Sequence, residues 1–351
     1  MALSSFEHRK MSKVTPISNR KADHIRITLQ DDVQSSLKTG LDQILLEHNA
    51  VPELDFKDID LSSSFLGRNL DAPILISSMT GGTQEAQEIN ISLAKAAQAR
   101  GIAMGLGSQR AALEHPDLAS TFQVRSYAPD ILLFANLGAV QLNYGYGIDE
   151  CARVVEDVQA DALFLHLNPL QEALQPEGDT NFGGLLKKIE EVCVGLSVPV
   201  IAKEVGWGIS ADAAKRLVNC GVAAIDISGA GGTSWSQVEM YRAKSELRRK
   251  LASSFASWGI PTVKALLEVR EELPEIPIIA SGGLRSGMDI AKCIALGANL
   301  GAMAGPFLKS AKESMDSIIE LIDLMIAEIH VCMFSTGSRD LESFRKVRIL
   351  F

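Results

Sequence analysis

Eight short apolar runs recur along the chain, and their spacing constrains the fold more than any other feature. They begin near Ile74 (ILISS), Ala103 (AMGLG), Leu132 (LLFANLG), Leu163 (LFLHL), Val200 (VIAKEV), Ala223 (AAIDISG), Pro277 (PIIASGG) and Asn299 (NLGAMA). Runs of this kind read as strands buried on both faces, as in a parallel sheet. Stretches of helical period lie between most of them. Residues 86–100 set Ile89, Leu93, Ala96 and Ala97 on one face. Residues 148–158, 185–195, 211–220 and 288–296 behave similarly, and Ser210 and Ser286 stand at N-cap positions. Parallel neighbours require long, right-handed crossovers. Eight such units predict an α/β chain folded as a (β/α)8 TIM barrel. The alternative is an open doubly wound sheet, but no GxGxxG opens its first unit, and eight strands would be many for it.

Around this rhythm, residues 1–19 read as a flexible N-terminal segment and 20–351 as one barrel domain. Residues 20–26 (RKADHIR) form a small basic cluster. Residues 41–66 carry short apolar pieces and Pro52, and read as a hairpin or lid over one end of the fold. Residues 231–276 are too long for a single crossover. They hold GAGGTSW and then SQVEMYRAKSELRRKLAS, and are expected to make a mobile excursion over the barrel mouth after strand six. From Phe307 the chain reads as helix through Ile329, closing the barrel.

Composition excludes some classes of function. A net charge of −9 argues against general nucleic-acid binding. The five cysteines are scattered without a CxxC, which predicts free thiols in a reducing compartment. The N-terminus has no apolar signal region, and no run approaches the roughly 20 apolar residues of a membrane span. A soluble cytoplasmic protein is expected.

In a barrel, the C-terminal strand ends build the active face. Here all eight carry small or polar groups: Ser77 to Gly82, Gly107 to Arg110, Asn136 to Gly138, His166 to Asn168, Lys203 to Gly206, Ser228 to Thr233, Ser281 to Arg285, and Ala304 to Pro306. Such uniformity points to an enzyme. SGGLRSG ahead of a helix, followed by AMAGP, forms a phosphate-cup pattern: glycine N–H groups approach an anion and the helix dipole assists. Thr233 and Ser228 could add hydroxyls. Lys203 has three readings here: a Schiff-base lysine, a solvated strand end, or a partner for an electron-rich cofactor ring. The fourth run empties into residues 166–182 (HLNPLQEALQPEGDTNF), a stiff loop dense in polar groups. Its Glu172 has two readings here: a Mg²⁺ ligand beside a phosphate, or a lone, solvated carboxylate.

These motifs resemble type 2 isopentenyl diphosphate isomerase, the FMN-dependent family of isoprenoid synthesis. The resemblance spans residues 20–306 and is carried by RKADHI, SSMTGG, GLGSQR, FANLGA, HLNPLQEALQPEGDTNF, AKEVGWGIS, DISGAGGTSW and SGGLRSG. The block HLNPLQE…PEGDTNF separates the family from other FMN barrels. The resemblance implies FMN contacts at Ser78, Met79, Thr80, Ser108, Asn136, Lys203, Ser228 and Thr233. It implies that the FMN phosphate lies against Gly282, Gly283, Leu284, Arg285, Ala304 and Gly305. The substrate diphosphate would meet Arg20, Lys21, Ser108, Gln109 and Arg110. Mg²⁺ would sit on Glu172, with Gln171 touching the substrate and His166, Asn168 and Trp235 lining the isoprenoid end. NADPH is implied as the reductant, and a homotetramer or homo-octamer as the assembly. The implied reaction moves one double bond without net redox change, with reduced FMN as the acid-base cofactor.

Three other readings compete with this. A hydroxy-acid oxidase on the same fold needs a His base and an Arg pair beside the flavin late in the barrel, and ASGGLRSG has no His close by. A nucleotide dehydrogenase of the related barrels would want a Cys after strand six, and GAGGTSW has none. A non-catalytic flavin-holding barrel would not need Arg20, Lys21 and the GSQR strand end.

Overall fold

A computed structural model describes residues 16–350, with side chains from Arg20 onward. Eight parallel strands close a barrel: β1 (Ile74–Ile76), β2 (Ala103–Gly105), β3 (Leu133–Gly138), β4 (Ala162–Leu167), β5 (Val200–Glu204), β6 (Ala224–Asp226), β7 (Ile278–Ser281) and β8 (Leu300–Met303). Each pairs with its sequence neighbour, and β8 pairs with β1. All eight apolar runs are therefore strands of the one barrel, as their spacing predicts.

The strand period of two sorts side chains into layers. Inward positions low in the barrel are apolar: Leu75, Ala103, Phe134, Phe164, Ile201, Ala224, Ile279 and Leu300 form one buried cluster. The Phe134 and Phe164 rings stack at 4.6 Å. Two residues further along the strands, the same face carries Ser77, Gly105, Asn136, His166, Lys203, Asp226, Ser281 and Ala302. One layer closes the barrel and the next floors the site. A short antiparallel hairpin, Ser63–Phe65 with Arg68–Leu70, plugs the N-terminal end, and its Phe65 and Leu70 join the inner cluster. This is the hairpin expected from residues 41–66, shifted a few residues along the chain.

Outside the barrel, the expected helices form at Gln84–Ala99, Ile148–Val158, Leu185–Gly195 and Ala211–Asn219. Ser210 and Ser286 cap as predicted, accepting from the Ala213 and Asp289 backbone N–H groups, each such cap being worth about 1 kcal/mol.

Six further helices matter below: α1 (Pro16–Gln30), α2 (Pro169–Leu174), α3 (Trp235–Arg242), α4 (Glu246–Ser253), α5 (Gly287–Ala295) and α6 (Gly305–Glu313). Several depart from expectation. Helix α1 begins at Pro16, inside the segment read as flexible; residues 1–15 lie outside the described residues. A proline is favoured in a first helical turn because the N–H it lacks would have no partner there. The excursion after β6 is folded into α3 and α4, and Val238 and Glu239 of α3 are buried against the barrel mouth and α1. The C-terminal helix breaks at Ser314, which caps a second helix, Met315–Thr336, running beyond Ile329. Among the described residues, no helix is long and apolar enough to cross a membrane.

Candidate active site

The polar inner layer floors a cavity of about 890 Å³ at the C-terminal ends of the strands. Walls come from α1, from the residues after every strand, and from α3. On the floor, Asn136 Oδ1 accepts from His166 Nδ1 at 2.8 Å, which fixes the imidazole proton on Nδ1. Burial, followed by the charges of Lys203, Lys21 and Arg20, pushes His166 down to about 4, so the ring is neutral at pH 7. Lys203 Nζ donates to Asp226 Oδ2 at 2.9 Å and lies 3.4 Å from Ser228 Oγ. At the end of β5, Glu204 turns the chain: its Oε2 accepts from the backbone N–H groups of Val205, Gly206, Trp207 and Gly208.

One side of the cavity is cationic. Helix α1 delivers Arg20 and Lys21 to the end of β2, where Ser108 and Arg110 also line the wall. Lys21 Nζ donates to the Ser108 carbonyl at 2.7 Å and sits 4.8 Å from the Phe122 ring centre. Burial and the Arg20 charge push Lys21 down to about 7. Arg110 is held by Glu114 and by Asp179, the latter at 2.6 Å.

Beside it stands the loop after β4. Pro169 starts α2, which puts Gln171 and Glu172 on the wall, both buried. Glu172 Oε1 accepts from Asn168 Nδ2 at 2.9 Å. Its Oε2 accepts from Gln175 Nε2 at 2.5 Å and Asp179 N at 2.7 Å. Gln171 Nε2 donates to Glu239 Oε1 of α3 at 3.3 Å. The same oxygen lies 3.3 Å from His24 Nε2 of α1, without the alignment of a hydrogen bond. Arg242 donates to Glu239 Oε2 at 2.6 Å and to Glu177 at 2.8 Å. Burial works to raise the Glu239 carboxyl, but His24 and Arg242 outweigh it and hold it below its usual range. The Trp235 ring meets His24 edge-on at 5.0 Å.

The opposite side is a backbone cup. Gly282 and Gly283 have φ of +99° and +77°, and a Cβ on either would strike the backbone of residues 229–231. The N–H groups of Gly283 and Leu284 have no protein acceptor among the described residues. The helix dipole at this cup is not the one SGGLRSG suggests. The N-terminus of α5 is already used by the protein: Gly287 N donates to Glu328 Oε2 at 2.5 Å, and Ser286 caps Asp289 N. Helix α6 instead opens onto the cavity. Its N-cap, Ala304, has no side-chain cap, and a Cβ on Gly305 would meet nothing within 4 Å.

Every side chain expected at the site lines this cavity except Gln109. Gln109 is buried beneath it, with Nε2 on the Val154 carbonyl at 2.8 Å and Oε1 receiving Asn136 N at 3.0 Å. Its polar atoms are spent on bracing β3, so it positions Asn136 and does not reach an anion. The sequence assigned no site role to His24, Gln141, Asp179, Asp226, Glu239 or Arg242, although Asp179 stands in the polar loop after β4 and His24 in the basic cluster. Asp226 had a signal, a charge inside a buried apolar run. Glu239 and Arg242 had none, because only the docking of α3 on α1 and α2 brings them behind the cavity wall, against Gln171 and His24.

A closed parallel barrel that presents free backbone N–H groups after β7 and an uncapped helix after β8 has the layout in which (β/α)8 enzymes bind a phosphate. A family model described as FMN-dependent dehydrogenase matches residues 27–123 and 171–349, so the chain belongs to that family. Solved mandelate oxidases share the fold: one with an FMN adduct superposes with a TM-score of 0.67 at 17% identity, covering 95% of this chain and 99% of its own. Within the family the chain groups with the isopentenyl-diphosphate delta-isomerases. It is 55% identical to that enzyme of Nostoc sp. over 93% of this chain and 94% of the relative. It is 54% identical to that of Rickettsia rickettsii over 94% and 96%.

The residues fit a flavin mononucleotide. Ser78 Oγ and Thr80 Oγ1 are buried at the cavity without a hydrogen-bond partner, and the glycine cup has N–H groups free for a phosphate. A divalent cation finds a sparser set: among the described residues no three His, Cys, Asp or Glu converge. Glu172 Oε1, with one protein donor, retains a free lone pair for one metal bond. That fits Mg²⁺ bound chiefly through a substrate's phosphate oxygens and water.

Proposed function

We propose that this cavity interconverts isopentenyl and dimethylallyl diphosphate. The observation that carries the reading is the presence of two separate anion-binding ends in one cavity. The glycine cup with α6 suits the cofactor phosphate, and Arg20, Lys21, Ser108 and Arg110 suit a second, more highly charged phosphate group. A flavoenzyme acting on a small hydroxy acid also needs a cationic end, for a single carboxylate, but is expected to place it late in the barrel; here Arg20, Lys21 and Arg110 come from α1 and the end of β2. The cavity histidines are His24 and His166, and neither follows β7, where the oxidase reading wants its base.

Bound FMN, in its reduced form, would supply the acid-base group of a reaction that has no net redox change. Ser78, Met79, Thr80, Ser108, Asn136, Lys203, Ser228 and Thr233 would hold it, with Gly282 to Arg285, Ala304 and Gly305 around its phosphate. The rest falls to the protein. Arg20, Lys21 and Arg110 anchor the diphosphate, so that binding energy far from the double bond orients it. Glu172 holds Mg²⁺ against the same group. Neutral His166 and Asn168 line the reacting end without placing charge beside an alkene. Glu239, ionised between His24 and Arg242, takes the Gln171 amide N–H and so orients Gln171 near that end. Trp235 presents an aromatic ring that favours cationic character.

The test is an anaerobic assay with FMN, a chemical reductant and Mg²⁺, following isopentenyl diphosphate. Product that requires both reduced flavin and metal supports the reading. Absence of product with flavin bound and reducible overturns it and returns the oxidase reading, which predicts flavin reduction by 2-hydroxy acids.

A further inference from the structure

We propose that Asp226 is a positioning residue that holds and neutralises Lys203 on the cofactor wall of the cavity. This rests on the flavin reading above and extends it to a residue with no surface on the cavity. Asp226 is fully buried at the end of β6. Its Oδ2 accepts from Lys203 Nζ at 2.9 Å. Its Oδ1 accepts from Ser281 Oγ at 2.5 Å and from Ser228 N at 3.2 Å. Lys203, Ser228 and Ser281 stand at the ends of three successive strands, and all three line the cavity. One carboxylate thus ties together a whole sector of the wall.

Ser228 shows what the tie has to do. Its φ is +39°, a left-handed conformation that is unfavourable for a residue with a side chain and persists only when the surroundings enforce it. The Asp226 acceptor on its N–H and the Gly208 N–H on its carbonyl enforce it here.

Packing does not require a charge at this position. One layer below, Ile201, Ala224 and Ile279 close the same three strands with apolar side chains. A buried ion pair is weak evidence of stabilisation, because desolvation offsets the attraction. The pair is better explained by what it does at the wall. A lone lysine would present a full positive charge on a long, mobile stem. Tied to Asp226, it presents a directed N–H donor in a pair of zero net charge.

The effect is read as the ratio of FMN dissociation constants, oxidised over reduced, measured by titrating apoprotein in air and anaerobically with dithionite. This ratio reports the redox preference of the site and is independent of turnover. Asp226→Asn adds one net positive charge beside the cofactor, and the ratio is expected to rise about tenfold or more, in favour of the anionic reduced form. The double change Lys203→Met with Asp226→Asn restores the original net charge, and the ratio should stay within about threefold of the unmodified protein. If Lys203 acts as an uncompensated cation, the double variant's ratio instead falls tenfold or more, which overturns the proposal. So does an unchanged ratio in Asp226→Asn with normal circular dichroism. Should Asp226→Asn fail to fold, the double variant, which leaves no unpaired buried charge, decides alone. Failure of the unmodified protein to bind flavin would instead sink the flavin reading, and this inference with it.

Discussion

Lys21 on α1 donates its Nζ to the carbonyl of Ser108, at the end of β2, across 2.7 Å. This bond fastens the N-terminal helix over the barrel mouth and sets an ammonium in the cationic wall. It also gives the wall a pH dependence. Lys21 is pushed down to about 7 by burial and Arg20, so above that pH the empty site holds it largely neutral. A bound diphosphate favours the charged form. Binding of inorganic diphosphate should therefore weaken as pH rises from 6 to 9, with proton uptake above pH 7 visible as a buffer-dependent calorimetric heat. Lys21→Met should cost on the order of tenfold or more in affinity and abolish the uptake. The linked stability effect has the opposite slope. Between about 7 and the ordinary lysine range the unfolded chain binds more protons at this residue, so its contribution makes the ligand-free protein more stable as pH rises. A pH-independent affinity would refute the assignment.

Glu172 carries two duties that a single substitution can separate. Its Oε2 braces Gln175 and the Asp179 N–H, while Oε1 retains capacity for a cation. Glu172→Gln should cut turnover by about 10²-fold or more, because a charged metal ligand is lost. FMN affinity should stay within about threefold, since the glycine cup and the Ser78–Thr80 segment are untouched. Loss of flavin binding in parallel would mean the loop brace, not the metal, was the main role.

The barrel was legible because strands buried on both faces leave uninterrupted apolar runs, and the glycine turn after β7 because its glycines are needed where backbones meet. Asp226 was swallowed by such a run: AAIDISG reads as a strand whether or not its one charge is functional. The excursion after β6 looked loose for a different reason. Its helix α3 is only weakly amphipathic, and it buries Val238 and Glu239 against α1, a segment more than 200 residues earlier in the chain. Gln109 shows the opposite limit. A polar residue at a strand end faces either the cavity or a neighbouring strand, and nothing local distinguishes the two.

Glu239 is where α1, α2 and α3 meet, touching His24, Gln171 and Arg242. Glu239→Gln keeps its size but removes the charge that balances Arg242. Turnover should fall by about 10²-fold or more if the ionised carboxylate orients Gln171 at the reacting end. Arg242→Lys keeps a positive charge but cannot bridge Glu239 and Glu177 with one planar fork, and should cost less. Equal losses in the two variants, with equal losses of thermal stability, would reduce Glu239 to a structural role.

Two helices begin near the glycine cup, and only one of them faces it. The α5 N-terminus is closed by Glu328, whose carboxylate takes the Gly287 N–H. The α6 N-terminus has no side-chain cap and opens onto the cavity at Gly305. Two substitutions separate the two helices. Glu328→Gln weakens the cap on α5 and should lower stability by about 1 kcal/mol, with FMN affinity unchanged within about threefold. Gly305→Glu introduces a like charge where the phosphate would lie. It should weaken FMN binding by about 10²-fold or more, while leaving the melting temperature of the flavin-free protein nearly unchanged, because nothing crowds that position. Flavin titration and thermal unfolding of both variants check the assignment. If Glu328→Gln lost flavin and Gly305→Glu kept it, the dipole at the cup would belong to α5 after all.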